Sequence, residues 1–499
     1  MTFLSRNKLP ITFVICVLLL LRFYVDPDFF WHLSYGEKII TSRSIQKYDT
    51  STYTYEGFYW ANSYWLSQAV FYVISLPVGF SLIAVVLTVI FVLAAYFFSM
   101  RFFGESFKAC LVTIFVTFYM VPFSIISRPM FFSSIFFLFL IPALQRQFTS
   151  GKVNFSFFLP LLFVIWANLH PDFLIGLGIL LYFFGSQAIF AFDFKGRRFS
   201  DFKTHFRNFV ILLASFLGTL INPFGVDIYK TLYQDVFLIS LVSYKDYIGE
   251  WKGLTLTAGS PSIVFYISVL TFIVSLVWRI RKTANSKEEF LKLLLAWYIP
   301  FLLSVFMVFR SKYFLRVEIF FSLFMLWDFL GLLDIAWQRL KCRISPLIKG
   351  LGLLLIVCLT VIRIIRLIDD SDFSILYPVK AVAFMKSWDQ GISYRLFNNY
   401  SWGGYLLYAL PERKVFIDGR MASWTKPGNH LFADYVKMSY MTDKAEAEEL
   451  FVKYEIDTFL IAKKNSDLKT FLQEKLKAKV IYEDDLALIL STKMVDTKP

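Results

Sequence analysis

The chain has 499 residues, of which 57% are hydrophobic and only 18% are charged, and its formal net charge is +14. Soluble domains are usually about 45–50% apolar and about 25% charged, and the mean hydropathy of +0.58 lies far to the apolar side. These values exclude a soluble globular enzyme, a coiled coil, a collagen and a disordered chain. They predict that lipid covers most of the apolar surface.

The excess positive charge lies in the apolar part of the chain. Residues 370–499 contain 18 basic and 18 acidic side chains, whereas residues 1–369 contain 33 basic and 19 acidic ones. Most of these basic residues fall in short segments between apolar runs, as the positive-inside rule requires of a multi-pass membrane protein. A nucleic-acid-binding surface is therefore not expected.

The apolar runs predict a bundle of about eleven transmembrane helices within residues 1–369, since a helix needs roughly 20 apolar residues to cross a bilayer core. The approximate limits of these runs are 9–25, 79–100, 108–127, 130–146, 154–169, 172–192, 206–222, 261–280, 289–309, 314–335 and 347–367. With the N-terminus in the cytoplasm, every predicted inner loop is basic. This orientation places the first loop (26–78), the 223–260 loop and the C-terminal tail on the extracytoplasmic side.

The first outer loop, residues 26–78, is too long and too aromatic to be a simple connector. Its stretch from Phe29 to Ile40 has the pattern of an interfacial amphipathic helix, and a second such stretch runs from Trp65 to Leu76. Amphipathic helices of this kind lie in the membrane interface. We therefore expect the loop to lie along the membrane surface.

The tail, residues 370–499, is predicted to form a small soluble α/β domain, because helical stretches alternate along it with short strand-like runs. The helical stretches are Val379–Trp388, Trp402–Leu410, Lys444–Tyr454 and Asp467–Leu476. The strand-like runs are Arg395–Asn398, Lys414–Ile417, Thr458–Ile461, Val480–Tyr482 and Ala487–Leu490. No glycine-rich phosphate-binding turn follows any of these runs, so a nucleotide-binding fold is not supported.

Two carboxylates, Asp26 and Asp28, lie at the outer end of the first predicted span. A charge near a bilayer needs a partner, so Asp26 could simply pair with Arg22 while Pro27 ends the helix. Neither capping nor pairing accounts as well for Asp28, which we predict to be catalytic. A carboxylate at this position could act as a general base that deprotonates a hydroxyl. It could also bind a divalent ion that neutralises the charge of a leaving phosphate.

A second polar cluster is predicted on a later outer turn, at residues 168–172. His170 and Asp172 could ligate a divalent metal, with Asp26 as a further ligand. The alternative is a structural histidine in a tight turn, and the pattern leaves both interpretations open.

Four basic residues are exceptions to the positive-inside rule, because they flank predicted outer turns: Arg128, Arg310, Lys312 and Arg316. Arginine binds phosphate through paired N–H groups and stays charged. These residues are therefore the predicted phosphate-binding set for a lipid-phosphate donor. The alternative is that they extend towards lipid headgroups.

Aromatic and polar residues of the outer segments are candidates for binding a sugar or an acceptor. The Asp418-Gly419-Arg420 segment suits an exposed contact turn, and the glycines at 403 and 404 suit close backbone approach. The alternatives are the interfacial aromatic belt of any membrane protein and a helix packed on a strand. The candidates are His32, Trp65, Glu250, Trp251, Trp402, Tyr405, Asp418 and Arg420.

The Asp26-Pro27-Asp28 motif, the long helical first loop and a bundle that ends in an outer domain together resemble the GT-C membrane glycosyltransferases. The first loop, from Asp28-Phe-Phe-Trp-His-Leu to Trp60-Ala-Asn-Ser-Tyr-Trp65-Leu, is similar to that of the protein mannosyltransferase and aminoarabinose transferase branch. The tail segment Asn399-Tyr-Ser-Trp402-Gly-Gly-Tyr405 is faintly similar to the Trp-rich motif of oligosaccharyltransferase catalytic subunits, although glycine stands where that motif has aspartate.

This resemblance implies an inverting transfer of a sugar from a polyprenyl-phosphate-linked donor to a glycan, lipid or protein acceptor. Asp28 would be the base, with Asp26 assisting or holding a divalent metal, which only some members of the superfamily use. The expected location is the bacterial inner membrane, with membrane lipids as neighbours. The alternatives are a lipid or solute transporter or flippase, and a non-catalytic scaffold of the cell envelope.

Overall fold

The computed structural model describes residues 14–17, 26–104, 107–120, 127–150, 156–193, 198–199, 201–233, 247–248, 252–255, 260–283, 286–339, 373–387, 395–421, 424 and 430–493. These residues divide into two compact units. The bundle unit takes them from Met1–Arg22, Ala84–Gly225 and Lys245–Leu367. The tail unit takes them from Phe23–Ile83, Val226–Tyr244 and Ile368–Pro499. The first loop therefore groups with the C-terminal tail.

The chain is mainly helical. In chain order the helices are α1 (Pro27–Ser42), α2 (Trp65–Phe103), α3 (Phe107–Met120), α4 (Met130–Ser150), α5 (Leu159–Leu169), α6 (Phe173–Ala191), α7 (Phe202–Gly218), α8 (Asp227–Tyr233), α9 (Ser260–Lys282), α10 (Lys287–Arg310), α11 (Leu315–Arg339), α12 (Val379–Ser387), α13 (Gly403–Ala409), α14 (Leu431–Tyr440), α15 (Lys444–Lys453) and α16 (Ser466–Glu474). Helix α2 is broken at Gly79, whose φ is +71°, and α10 contains a π-helical turn at Leu294–Tyr298.

Nine of the predicted transmembrane segments coincide with helices, namely α2 to α7 and α9 to α11. Four helices of the described residues are long and apolar enough to cross a membrane: Leu82–Phe103, Met130–Ser150, Phe173–Ala191 and Lys287–Arg310. The protein is therefore a membrane protein, whereas the predicted count of about eleven spans is not confirmed. The predicted span 347–367 and most of the span 9–25 lie outside the described residues.

Helix α11 is the centre of the bundle unit, where it packs against α3, α4, α9 and α10. Its first half is buried, including Ile319, Phe320 and Leu323. A second group forms where α7 packs against α5 and α6. The first turns of α11 and the connection between α5 and α6 carry the polar residues that form the candidate site of this unit.

Helix α1 of the tail unit is buried on every side from Phe29 to Gly36. All residues from Phe29 to Gly36 are buried, and eight consecutive residues cover more than two helical turns. The helix packs against α13, and the Ser34 hydroxyl donates a 3.1 Å hydrogen bond to the Leu407 carbonyl. Protein therefore covers all faces of the helix from Phe29 to Gly36, whereas Glu37 and Ile40 are exposed, and the interfacial location of this stretch stays a prediction.

The tail contains a four-stranded mixed sheet. Its strands are β3 (Leu396–Asn398), β4 (Thr458–Ala462), β5 (Lys479–Glu483) and β6 (Ala487–Ser491), after a two-stranded pair in the bundle unit, β1 (Phe192–Asp193) and β2 (Arg198–Phe199). The order is β3-β4-β6-β5, in which only β3 and β4 are parallel. The central strands β4 and β6 are buried throughout. The four predicted tail helices and these four strands are confirmed to within a few residues.

The fifth predicted strand, Lys414–Ile417, does not form a strand, because the Asn398 side chain and residues of the first loop take its backbone hydrogen bonds. The Asn398 amide donates to the Ile417 carbonyl at 2.8 Å, and its oxygen accepts from the Phe416 backbone at 2.9 Å. Beyond Asn398, Val415 forms an isolated parallel bridge with Thr52 of the first loop. The backbone of Val415 is therefore paired with the first loop and not with a strand of the tail sheet.

We predict that Asn398→Ala lowers the unfolding free energy by about 2–4 kcal/mol, because it leaves buried backbone groups without partners. The neighbouring Asn399 only caps a short turn through the Ser401 backbone, so Asn399→Ala should lower it by about 1 kcal/mol. Thermal unfolding of the full chain in detergent measures both. Equal shifts in the two variants would contradict the role given to Asn398.

Candidate functional site

Most of the predicted site residues that the structure describes fall into two groups, each inside one unit. In the tail unit, Asp26 and Asp28 begin α1, and the Asp418–Arg420 segment lies against them. In the bundle unit, His170 and Asp172 lie between α5 and α6. Each group is described below within its own unit.

The two carboxylates at the start of α1 have different surroundings. Asp26 is buried, with 6% of its surface exposed, and its Oδ1 accepts the Asp28 backbone N–H at 3.0 Å as the N-cap of the helix. Asp28 is half-buried, and its Oδ1 accepts the Trp31 indole N–H at 3.1 Å. Pro27 occupies the first helical turn, where a missing N–H is tolerated. Asp26 therefore has a capping role, and Asp28 is the more accessible of the two.

Three glycines of the tail allow close packing around the start of α1 and the 417–419 segment beside it. A Cβ on Gly419 would overlap Asp28 Oδ1, and a Cβ on Gly404 would lie 2.7 Å from the Pro27 carbonyl oxygen. A Cβ on Gly403 would overlap the Ile417 carbonyl oxygen. The close approach predicted for the paired glycines is therefore present. Gly419 in addition lies directly against the Asp28 carboxylate.

Next to Gly419, the Arg420 guanidinium forms a fully buried ion-pair network. Its Nη2 lies 2.6 Å from Asp418 Oδ2, and its Nη1 lies 3.0 Å from Asp49 Oδ1 in the first loop. Nη1 also donates to the Tyr35 hydroxyl of α1. We call Arg420, Asp418, Asp49 and Tyr35 the Arg420 network. It joins the tail, the first loop and α1 through one cation.

Aromatic rings enclose the same guanidinium. Its carbon lies 4.6 Å from the Tyr35 ring centroid, 5.0 Å from that of Trp424 and 5.5 Å from that of Trp60. Such cation–π contacts strengthen when water is excluded. Burial raises the pKa of Asp49, but the Arg420 charge and the Thr52 hydroxyl outweigh burial and hold that pKa below its usual value. Asp49 is therefore ionised at neutral pH.

The predicted exposure of the Asp418–Arg420 turn is wrong, because both charged side chains are fully buried. An exposed turn would have left the Arg420 charge to water, whereas here two carboxylates compensate it. The contribution of these two residues to sugar or acceptor binding stays a prediction. The same holds for Trp402 and Tyr405, which are buried at 5% and 7% exposure.

The other predicted binding residues of the tail unit lie in or beside its aromatic core. Trp402 donates its indole N–H to the Leu376 carbonyl at 3.1 Å, and the Tyr405 ring contacts the Phe30 ring. His32 is buried and its ring lies over that of Trp31, with centroids 3.5 Å apart. Trp65 begins α2 and is half-buried, whereas Glu250 and Trp251 lie outside the described residues.

In the bundle unit, Asp172 is the centre of a buried cluster. Its Oδ1 accepts from Arg316 Nη2 at 2.8 Å and from the Tyr313 hydroxyl at 2.6 Å. Its Oδ2 lies 3.1 Å from His170 Nδ1. Arg316 and Asp172 each expose only 2% of their surface. We call these four residues the Asp172 cluster.

The positions of the cluster's side chains are fixed by neighbouring groups. His170 Nδ1 lies 3.2 Å from the Asp172 backbone nitrogen and 3.0 Å from the hydroxyl of Ser133 on α4. The same hydroxyl accepts the Trp166 indole N–H. Arg316 lies flat on the Tyr313 ring, with its guanidinium carbon 3.5 Å from the ring centroid. The cluster therefore joins the α5–α6 turn, α4 and the start of α11.

The charges and the burial of the cluster give His170 and Asp172 different protonation states. Burial lowers the pKa of His170, and the charges of Arg316 and Arg128 lower it further, which outweighs the opposing effect of Asp172. Burial raises the pKa of Asp172, but Arg316 and His170 outweigh this and hold it well below its usual range. The cluster therefore contains a neutral imidazole and an ionised carboxylate at neutral pH, with Arg128 close enough to act on His170.

The predicted phosphate-binding residues are thus partly brought together. Arg128 and Arg316 both act on His170, whereas Arg310 is exposed at the end of α10 and Lys312 is half-buried in the turn that follows. The Lys312 backbone N–H donates to the Lys252 carbonyl at 2.8 Å. Within the described part of the chain, no group of three His, Cys, Asp or Glu side chains is placed to hold a metal ion.

Sequence reasoning missed three residues that shape these clusters: Tyr313, Asp49 and Tyr35. Tyr313 lies between two predicted phosphate ligands, so its position in the Lys312–Arg316 segment was an available signal. Asp49 precedes Thr50-Ser51-Thr52, and an aspartate that accepts from backbone N–H groups two and three residues later is typical of a turn. Nothing in the local sequence links Asp49 to Arg420, which is 371 residues away.

We predict that Gly419→Ala lowers the unfolding free energy by about 1–3 kcal/mol, because the new methyl group overlaps the Asp28 carboxylate. The same substitution in an Asp28→Ala background should have a smaller effect, since the overlapping atom is gone. Thermal unfolding of the four proteins gives the coupling. Gly178→Ala, where nothing lies near the added Cβ, is the control, and additive effects would contradict the contact.

We predict that Asp49→Asn lowers the unfolding free energy by about 1.5–3 kcal/mol at pH 7, because a neutral amide cannot form an ion pair with Arg420. The unfolding free energy of the variant should also vary less with pH in the acid range. The pKa of Asp49 in the folded protein is below the usual carboxyl value. The stabilisation by Asp49 is therefore fully present above the pKa of the unfolded state and is lost as the pH falls through the pKa of the folded state.

Melting temperatures from neutral to acid pH measure this effect. The curves of the wild type and of Asp49→Asn should converge at low pH. The exposed Asp467→Asn should follow the wild-type curve, and a constant offset between wild type and Asp49→Asn at every pH would contradict the assignment.

Comparison with known proteins identifies the fold. No protein-family model matches the chain, and no curated protein matches it. The structure is similar to the crystal structure of the Archaeoglobus fulgidus oligosaccharyltransferase tethered with an acceptor peptide, with a TM-score of 0.52 and 13% identity over 93% of this chain and 70% of that one. For the apo form of the same protein the TM-score is 0.53, with 14% identity over 92% of this chain and 69% of that one.

The similarity extends over nearly the whole chain, through the bundle and the tail alike. Both structures come from the oligosaccharyltransferase branch, to which only the tail motif is faintly similar in sequence. The predicted resemblance to the GT-C superfamily is confirmed for the fold. This chain has the fold of the GT-C membrane glycosyltransferases.

Proposed function

We propose that the protein is a membrane glycosyltransferase that moves a sugar from a polyprenyl-phosphate-linked donor to an acceptor on the extracytoplasmic face. The observation that carries this proposal is the likeness to an oligosaccharyltransferase structure over 93% of the chain. The acceptor is a glycan, a lipid or a protein. The acceptor of the compared structure is a peptide containing a sequon, and the Trp-rich motif of this chain lacks the aspartate found in that branch.

In this proposal Asp28 is the general base. Its carboxylate is half-buried and accepts one indole N–H from Trp31, whereas the Asp26 carboxylate is buried and caps α1. A base must reach the hydroxyl whose proton it takes, and accessibility therefore favours Asp28. Asp26 assists by fixing the start of the helix.

The donor phosphate is assigned to the basic residues of the bundle unit. Arg316 and Arg128 are the principal ligands, because both act on the same buried histidine. Arg310 and Lys312 supply further positive charge nearby in sequence. Stabilising the negative charge on the leaving phosphate is the larger electrostatic demand of the reaction.

The protein is placed in the bacterial inner membrane, with the N-terminus in the cytoplasm and the tail outside. The basic inner loops support this orientation. Its partners are membrane lipids, the lipid-linked donor and the acceptor.

We predict that Asp28→Asn reduces sugar transfer by about 10²–10⁴-fold without changing expression or membrane insertion. The substitution is isosteric, and its amide oxygen can still accept the Trp31 indole N–H. The assay is formation of glycosylated product by the full-length protein in liposomes that contain labelled polyprenyl-phosphate sugars.

The exposed Asp485→Asn should transfer sugar at the wild-type rate. Unchanged turnover in Asp28→Asn would contradict the base assignment. The same liposomes distinguish the other functional classes: labelled lipid that changes leaflet without product would indicate a transporter, and neither movement nor product would indicate a scaffold.

A further inference from the structure

The Asp172 carboxylate already has a cation from this chain. Arg316 and Tyr313 contact its Oδ1, and His170 contacts its Oδ2. The Asp172 and Arg316 side chains each expose only 2% of their surface. Both carboxylate oxygens are therefore shielded from water, but only Oδ1 accepts hydrogen bonds from the described residues, since Oδ2 is buried without a hydrogen-bond partner among them.

This donor set does not fit a divalent metal ion. A metal bound by Asp172 and His170 would share the carboxylate with the Arg316 guanidinium, and two cations so close together repel strongly in a buried site. The His170 Nδ1 atom, the ring nitrogen that lies next to Asp172, faces the Asp172 backbone N–H and the Ser133 hydroxyl. Asp26, the further predicted ligand, caps α1 in the tail unit.

Arg316 retains a donor that the described residues do not use. Its Nε donates to the Tyr313 carbonyl and its Nη2 to Asp172. Its Nη1 is buried and forms no hydrogen bond with any residue that the structure describes. A buried donor without a partner is unfavourable, so a ligand that accepts from Nη1 would be bound favourably. The positive charge of Arg128 near the same histidine favours an anion.

We infer that Arg316, whose guanidinium is held by Asp172, binds the phosphate of the donor. Arg316 thereby supplies the positive charge that a divalent metal would otherwise supply, so that binding of the donor needs no metal. This inference rests on the proposed function. In the transfer step the acceptor oxygen bonds to the anomeric carbon and gives its proton to the general base of the reaction. The bond from that carbon to the phosphate oxygen breaks, its electron pair stays on the phosphate, and Arg316 Nη1 donates to that anion.

The test is binding of a polyprenyl monophosphate to the full-length protein in phosphatidylcholine nanodiscs, with excess EDTA or with excess Mn²⁺. We expect the same affinity in both conditions to within about twofold, and competition by inorganic phosphate, because phosphate is the recognised group. Loss of binding in EDTA and its recovery with Mn²⁺ would overturn the inference. So would the absence of binding in both conditions.

A variant comparison assigns the effect to the residue. Arg316→Gln should weaken phosphate binding by about tenfold or more in both conditions, since a charge-assisted hydrogen bond is lost. The exposed Arg281→Gln, on the same unit, is the matched control and should bind as wild type. Equal binding by Arg316→Gln and wild type would overturn the inference.

Electron paramagnetic resonance of added Mn²⁺ gives a second measurement, which detects metal binding directly. With the wild-type protein, the Mn²⁺ signal should remain that of the free ion. A signal of bound Mn²⁺ that the Asp172→Asn substitution abolishes would overturn the inference. Failure of the proposed function is distinguishable: metal-independent phosphate binding without any sugar transfer would contradict that function alone.

Discussion

A buried carboxylate needs a buried cation, and this constraint organises both units of the protein. In the tail unit, Arg420 compensates Asp418 and Asp49, and the pair with Asp49 joins positions 371 residues apart. In the bundle unit, Arg316 compensates Asp172, 144 residues earlier in the chain. Each arginine also lies on an aromatic ring, which excludes water from the ion pair. Removal of either cation would leave a buried charge without compensation.

The two ion-pair systems fix the groups that contact the proposed functional residues, Asp28 and Arg316. The Arg420 network fixes the segment that contains Gly419, and Gly419 in turn contacts the carboxylate of Asp28. In the bundle unit, Asp172 fixes the Arg316 guanidinium and leaves its Nη1 without a partner among the described residues. The proposed base and the proposed phosphate ligand are thus both positioned before substrate binds, which is how electrostatic catalysis gains most.

The sequence predicted what depends on local pattern and missed what depends on distant contacts. Apolar length predicted nine helices, and the alternation of helical and strand-like runs predicted four strands and four helices of the tail, but the helix Leu431–Tyr440 was not predicted. The Lys414–Ile417 run has the pattern of a strand, but the Asn398 side chain and the first loop take its hydrogen bonds. The exposed turn at Asp418–Arg420 was wrong because its partner, Asp49, lies in another part of the chain.

The most direct measurement of the central claim is a cryo-electron microscopy map of the full-length protein in nanodiscs with a polyprenyl monophosphate and no added metal. The account predicts phosphate density within hydrogen-bonding distance of Arg316 Nη1, with the contact between Arg316 and Asp172 retained. Density for the phosphate away from Arg316, or an Asp172 carboxylate that has left Arg316 to hold an ion, would contradict it.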